Sequence, residues 1–191
     1  QKRLPNMGFP EALELAADLA ECAASEIVLL AVPMQQLGGF LSALPQKNSL
    51  KYLVSCCKGI DLATGKGASA LLEAQAPNAQ AAVLTGPSFA TDLAAGSPTA
   101  LSLACADAAA GLYLQEQLST PNLRLYRSTD VTGAELGGAL KNVIAIACGV
   151  TIGAGLGDSA RAALMARGYV EMQRFAASLG ARDHAMESLS G

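Results

Sequence analysis

The sequence predicts an α/β fold in two parts: a mostly parallel sheet with interleaved helices, then an all-helical segment. Three observations carry this. Five short apolar runs precede Ser128. Helical stretches alternate with the early runs, as strand–helix–strand units require. Beyond Tyr126 no strand-like run follows, and apolar residues fall at helical spacing.

The runs cover 27–32, 52–57, 81–85, 100–105 and, more weakly, 123–126. They are continuous rather than alternating, which is the pattern of strands covered on both faces. Helices are predicted over 11–24, where Leu15 and Leu19 stand four apart, and over 37–44 and 69–76. Thr129-Asp130 resembles a helix N-cap. From there to about Val150 runs one long helix with Leu136, Leu140, Ile144 and Ala147 on a single stripe. A glycine-rich loop at 153–157 follows. Asp158 is read as the cap of a second long helix reaching about Leu179, which Gly180 ends. The expected division places an α/β domain over 1–128 and the start of a helical domain over 129–191.

Composition narrows the function classes. The 191 residues are 51% hydrophobic and only 4% aromatic, with 19 glycines, as in a closely packed globular chain. A net charge of −3 gives no basic footprint for nucleic acid or an anionic membrane. The five cysteines, Cys22, Cys56, Cys57, Cys105 and Cys148, are odd in number and irregularly spaced. With no CxxC pair and His184 as the lone histidine, no metal site is expected, and reduced thiols in a cytoplasmic protein are. No apolar stretch reaches the ~18 residues of a membrane span. The N-terminus has neither a signal-peptide core nor an initiator Met, so the chain is expected to begin inside a longer protein.

Three motifs carry chemistry. In Val54-Ser55-Cys56-Cys57-Lys58-Gly59, a lysine stands where a buried strand ends, and ligands of open parallel sheets bind at that edge. The alternative is a plain surface lysine. In Thr85-Gly86-Pro87-Ser88-Phe89-Ala90, Gly86 permits close backbone approach and Ser88 is placed to cap the next helix, whose free N–H groups suit an anion. The alternative is an ordinary strand-to-helix turn. Glu135-Leu136-Gly137-Gly138-Ala139-Leu140-Lys141-Asn142 sets two glycines inside a helix, at roughly 1 kcal/mol each relative to alanine. Both lie one turn from Lys141 on its own face. Either a small polar ligand fits beside the amine, or the glycines admit a neighbouring helix and Lys141 points to solvent. The loop at 153–157 follows a helix, so it is no dinucleotide fingerprint. Arg167 and Glu171 are spaced to pair on a helix surface, and His184 is read as an exposed loop residue.

Taken in order, these segments resemble bacterial NAD(P)-dependent glycerol-3-phosphate dehydrogenases. The resemblance rests on Ala31-Val32-Pro33, Lys58-Gly59, Gly86-Pro87-Ser88-Phe89-Ala90, Glu135 through Val143, Gly155-Leu156-Gly157-Asp158, Ala162-Ala163-Leu164 and Arg167-Gly168. It implies a Rossmann-like domain followed by a truncated helical domain like the C-terminal part of 6-phosphogluconate dehydrogenase. It implies Lys141 as the catalytic lysine and Lys58 as a contact to both substrate and cofactor. It further implies Gly86, Ser88 and Asn142 as substrate-pocket positions, and Pro33 and Ala90 as cofactor contacts. The implied reaction is reversible reduction of dihydroxyacetone phosphate to sn-glycerol 3-phosphate by NADH or NADPH, for glycerophospholipid synthesis. A homodimer is a candidate assembly.

Ser159 departs from the family's usual asparagine and Asp92 from a common glutamate. The family's glycine-rich dinucleotide loop, its Gly-Asp-Leu segment and the downstream arginine and asparagine for the substrate phosphate are not within these residues. The chain is therefore expected to be a middle portion of the enzyme. A related two-domain hydroxy-acid dehydrogenase and a non-catalytic nucleotide-binding or scaffold derivative are the competing readings. In the implied mechanism a lysine, with a reference pKa of about 10.4, exchanges a proton with the reacting oxygen. Lys58 would be the second cation that disfavours the charged form of Lys141.

Overall fold

A computed structural model describes residues 4, 8, 10–45 and 49–182. Its five strands are β1 (Ile27–Leu30), β2 (Tyr52–Ser55), β3 (Gln80–Thr85), β4 (Thr99–Cys105) and β5 (Leu123–Ser128). They form one sheet in sequence order. β1, β2 and β3 are parallel, β4 is antiparallel to β3, and β5 is parallel to β4. The single reversal has a local cause. The connection between β3 and β4 holds only a five-residue helix, which is too short to return the chain along the sheet as a crossover helix does.

The helices are α1 (Leu19–Cys22), α2 (Met34–Ala43), α3 (Ala68–Gln75), α4 (Ala90–Ala94), α5 (Ala108–Leu118), α6 (Val131–Gly153) and α7 (Gly157–Ser178). They cover both faces of the sheet. Leu30, Leu53 and Ala81 pack with Leu37, Leu41, Leu71 and Leu72 of α2 and α3. Val54, Ala82, Leu103 and Leu125 pack with Leu114 of α5. Neighbouring residues of β2 and β3 thus enter opposite cores, as the two-residue strand period dictates. Ala134 of α6 seats on Val83 and Ala104, so α6 joins the face that carries α3.

Four expectations need correction. The helix over 11–24 shrinks to α1, because Leu15 is 81% exposed and gives the stretch no buried face. α5, which the apolar pattern did not single out, forms behind an Asp107 cap that accepts the Ala110 N–H at 2.8 Å. Asp158 does not cap α7: Leu156 is the N-cap, and Asp158 sits in the first turn paired with Arg161 at 3.1 Å. Finally, α6 is long and apolar enough by length and composition to cross a membrane, contrary to the reading that no stretch is. Its first half instead packs on the sheet.

The Asp130 cap of α6 does form, accepting the Gly133 N–H at 2.9 Å. The predicted stripe faces α7, where Leu136 and Leu140 meet Tyr169, Met172 and Ala176. At the far end of α7, Arg182 donates its backbone N–H to Asp130 at 2.7 Å and its guanidinium to Thr129 at 3.0 Å. The two long helices are thereby closed into an antiparallel pair. Arg167 pairs with Glu171 on the surface of α7, as its spacing suggested. His184 lies outside the described residues.

Candidate active site

Parallel β1, β2 and β3 end on one edge of the sheet. Pro33 follows β1 there as the N-cap of α2, and Lys58 follows β2. Gly86 follows β3 directly. Gly86 has φ +154°, in the region that favours glycine. Its backbone lies so close to β4 that a Cβ would stand 2.8 Å from the Leu101 side chain and 3.2 Å from its Cα. Gly59, with φ +119°, lets the chain turn after Lys58.

α6 starts beyond the opposite edge, after β5, and runs back across the sheet. Gly138 marks where it crosses the end of β3. A Cβ on Gly138 would stand 2.5 Å from the Thr85 hydroxyl oxygen. Gly138 therefore admits the Thr85 side chain of β3 at close range, a neighbour the sequence pattern did not offer. Thr85 is 3% exposed, and among the described residues its hydroxyl has no hydrogen-bond partner. The close crossing carries the helix on to Lys141. Its amine does not point to solvent but donates to the Gly86 carbonyl at 2.7 Å.

Lys58 approaches the same amine from the end of β2. The Lys141 pKa is pushed down to about 8, first by partial burial and then by the Lys58 ammonium beside it. At neutral pH most of Lys141 is still charged. Its neutral form becomes accessible about two and a half pH units below an ordinary lysine. An amine so poised can give a proton to an oxygen below about pH 8 and take one above it.

The structure thus joins Lys58, Gly86 and Lys141. Ser88 lies two residues beyond Gly86, half-buried, and is not the N-cap of α4: Phe89 is, and its side chain makes no capping bond. That corrects the expected role of Ser88. Asn142 is exposed on α6 beside Lys141. Pro33 and Ala90 are exposed at the starts of α2 and α4. Sequence reasoning missed two residues. Thr85 was read only as a strand end. Glu135, read only as part of a motif, reaches α3 and accepts the Ser69 N–H at 2.7 Å and the Ser69 hydroxyl at 2.6 Å. Among the described residues no group of three or more His, Cys, Asp or Glu side chains gathers as a metal site would require.

Two family models match the chain. The NAD-dependent glycerol-3-phosphate dehydrogenase N-terminus covers residues 1–111, and the C-terminus of the same family covers 130–191. The chain belongs to the NAD-dependent glycerol-3-phosphate dehydrogenase family. It is 60% identical over 190 residues to the glycerol-3-phosphate dehydrogenase (NAD(P)+) of Ruegeria sp. strain TM1040, covering 100% of this chain and 59% of that protein. It is 63% identical over 183 residues to the enzyme of the same name from Cereibacter sphaeroides, covering 96% of this chain and 60% of the relative. The chain therefore spans about three fifths of the length of these curated relatives. Among solved structures, the glycerol-3-phosphate dehydrogenase of Coxiella burnetii superposes with a TM-score of 0.88 at 32% identity, over 98% of this chain and 58% of that one. These matches do not favour a hydroxy-acid dehydrogenase or a scaffold derivative.

Proposed function

We propose that this family member interconverts dihydroxyacetone phosphate and sn-glycerol 3-phosphate with NADH or NADPH, and that Lys141 is its proton-transfer residue. The observation that carries this reading is the Lys141 amine itself. It is lowered to about pH 8, held at 2.7 Å on the Gly86 carbonyl, and set beside a second lysine at the ends of parallel strands. Oxidation of the alcohol removes a hydride and leaves a proton, which neutral Lys141 accepts. In the reverse direction the protonated amine donates it.

Lys58 has two effects in this scheme. Its charge keeps the Lys141 proton labile, and its exposed ammonium is placed for an anionic oxygen of the substrate. Gly86 brings its carbonyl to the Lys141 amine and so fixes the amine's direction. Ser88 and Asn142 flank the pair and are assigned to the substrate side. The strand-end edge fits a dinucleotide. Pro33, Lys58 and Ala90 are exposed there, and none carries a carboxylate to repel a pyrophosphate. Those three residues are assigned to the cofactor, which when bound supplies the hydride chemistry.

The same reading divides the chain near Ser128, into a dinucleotide-binding part over 1–128 and the start of a substrate-binding helical part over 129–191. It is supported by the end of the last strand at Ser128 and the start of α6 at Val131. The five cysteines are free thiols, which suits a cytoplasmic enzyme supplying glycerophospholipid synthesis.

The test is Lys141→Ala in the full-length protein, followed by NADH oxidation with dihydroxyacetone phosphate. We expect kcat to fall by ~10²–10⁴-fold, the usual contribution of a general acid or base, with cofactor affinity little changed. Turnover within a few-fold of wild type would remove Lys141 from this role.

A further inference from the structure

The segment between β2 and α3 carries Lys58, and its fastenings are visible one by one. At the β2 end, the Cys56 N–H donates to the Leu30 carbonyl at 3.0 Å and the Cys57 thiol to the Val32 carbonyl at 3.0 Å. In the middle, Gln35 of α2 grips the segment twice. Its amide donates to the Ile60 carbonyl at 2.8 Å and accepts the Leu62 N–H at 3.0 Å. Asp61 then folds the stretch on itself, accepting the Thr64 N–H at 2.8 Å and its hydroxyl at 2.6 Å. At the far end α3 begins at Gly67, an N-cap with no side chain to offer its helix.

Glu135 of α6, 66 residues from Ser69 in sequence, supplies what is missing. Its carboxylate takes both the N–H and the hydroxyl of Ser69 in the first turn of α3. A negative group at a helix N-terminus satisfies free N–H donors and meets the favourable end of the helix dipole. The approach is close enough that a Cβ on Gly67 would stand 2.5 Å from the Glu135 carboxylate. Burial pushes the Glu135 carboxyl upward and Glu73 adds to this, while the bonds from Ser69 and the Ala68 backbone oppose it. None of the salt bridges among the described residues includes Glu135. Six residues farther along α6, a rise of ~9 Å at 1.5 Å per residue, stands Lys141.

We propose that Glu135 is a positioning residue: by joining the far end of the Lys58 segment to the helix that carries Lys141, it holds the two ammonium groups together. The inference rests on the reading of that pair as the reacting centre. Without the clasp, α3 keeps its apolar seat and the segment its bonds to β1 and α2, but the first turn of α3 is no longer tied to α6, and the spacing of Lys58 from Lys141 loosens by about 1 Å.

The experiment measures kcat, KM and the pH dependence of kcat/KM for sn-glycerol 3-phosphate oxidation. It uses the full-length protein as wild type, Glu135→Gln, Ser69→Ala, Lys58→Met, the double variant Glu135→Gln/Lys58→Met, and Lys141→Ala. We expect Glu135→Gln to lower kcat/KM roughly ten- to a hundredfold, the scale of a misplacement of about 1 Å, with KM rising alongside the fall in kcat because Lys58 also faces the substrate. We also expect it to move the rising limb of the profile to higher pH, as Lys58→Met does. The direction is diagnostic. Simple loss of the negative charge at Glu135 would ease deprotonation of Lys141 and move the limb down. In the Lys58→Met background, Glu135→Gln should move the limb no farther. An unmoved or lowered limb in Glu135→Gln, or an upward shift undiminished in the double variant, would overturn the proposal. Should Glu135→Gln fail to fold, Ser69→Ala keeps the backbone bond and should show the same upward shift at smaller size. An unmoved limb there would overturn the proposal as well. Full turnover in Lys141→Ala would sink the reading of the site and this inference with it. An inactive Lys141→Ala beside a wild-type-like Glu135→Gln would sink only the inference.

Discussion

The two halves of α6 are built for different neighbours. From Gly133 to Gly138 the helix buries small residues, Gly133, Ala134, Gly137 and Gly138, against the sheet side of the molecule. From Val143 on it presents large apolar side chains to the surface of these 191 residues: Val143 is 59% exposed, Ile146 69% and Val150 63%. Both halves are apolar, but the first is set against the sheet, whereas the second meets α7, through Ile144 and Cys148. Small residues give the helix a fixed height above β3, and the fixed height delivers Lys141 to Gly86. The large residues set no such height. Position in the site is therefore a property of the glycine-rich half, while the other half leaves Val143, Ile146 and Val150 exposed.

The sharpest way to break this contrast is Gly138→Val. Its Cβ would meet the Thr85 hydroxyl oxygen at 2.5 Å, and Thr85 is a buried β-branched side chain, stiff at χ1. Overpacking of this kind typically costs 1–3 kcal/mol, and we expect a loss of at least about 2 kcal/mol in urea unfolding, with activity falling alongside. Gly138→Ala should cost less and be partly rescued by Thr85→Ala, which removes the clashing oxygen and an unpartnered buried hydroxyl together. Simple additivity of the two changes would show that Thr85 is not what Gly138 accommodates.

A smaller effect is expected between the long helices. A Cβ on Gly168 of α7 would stand 2.6 Å from Cδ1, 2.9 Å from Cγ2 and 3.0 Å from Cγ1 of Ile144. Gly168→Ala should destabilise by about 1 kcal/mol relative to the same change made in an Ile144→Ala background, where those three atoms are gone. The opposite sign is expected in the exposed half of α6. Gly149 has nothing within 4 Å of its Cβ position. Gly149→Ala should stabilise by up to about 1 kcal/mol from helix propensity alone. A destabilising Gly149→Ala in the full-length protein would mean that another part of the protein packs there as tightly as β3 packs on Gly138.

Much of this was legible in the sequence, and the reasons differ by element. β2, β3 and β4, largely buried on both faces, leave continuous apolar runs, and all five strands were marked within a residue or two; the exposed edge strand β5, with Arg124 and Arg127, gave the weakest run. The strand-end edge that holds Lys58 and Gly86 was legible because each follows a continuous apolar run. The stretch over 11–24 misled because spacing reports a stripe but not whether anything covers it, and Leu15 is bare. α5 was passed over because Ala108, Ala109 and Ala110 give its start no large apolar residue. Ser88 fell short as a cap because α4 starts one residue later. The contacts of Thr85 with Gly138 and of Glu135 with Ser69 were beyond local pattern. They join residues more than fifty positions apart, and exist only once a helix crosses a sheet at a particular height.

The account stands on the meeting of two lysines, and the pH dependence of kcat/KM for sn-glycerol 3-phosphate oxidation tests that meeting directly. In this direction Lys141 must be neutral, so the rate should rise with pH through about 8 in the wild-type protein. In the reducing direction it must be charged, and the rate should fall over the same range. Lys58→Met removes the like charge but not the burial, which is the larger cause. The rising limb should then move to higher pH without reaching the ordinary lysine value of about 10.4. A wild-type limb near 10, or a limb that stays in place when Lys58 is replaced, would contradict the claim that the two amines share one site.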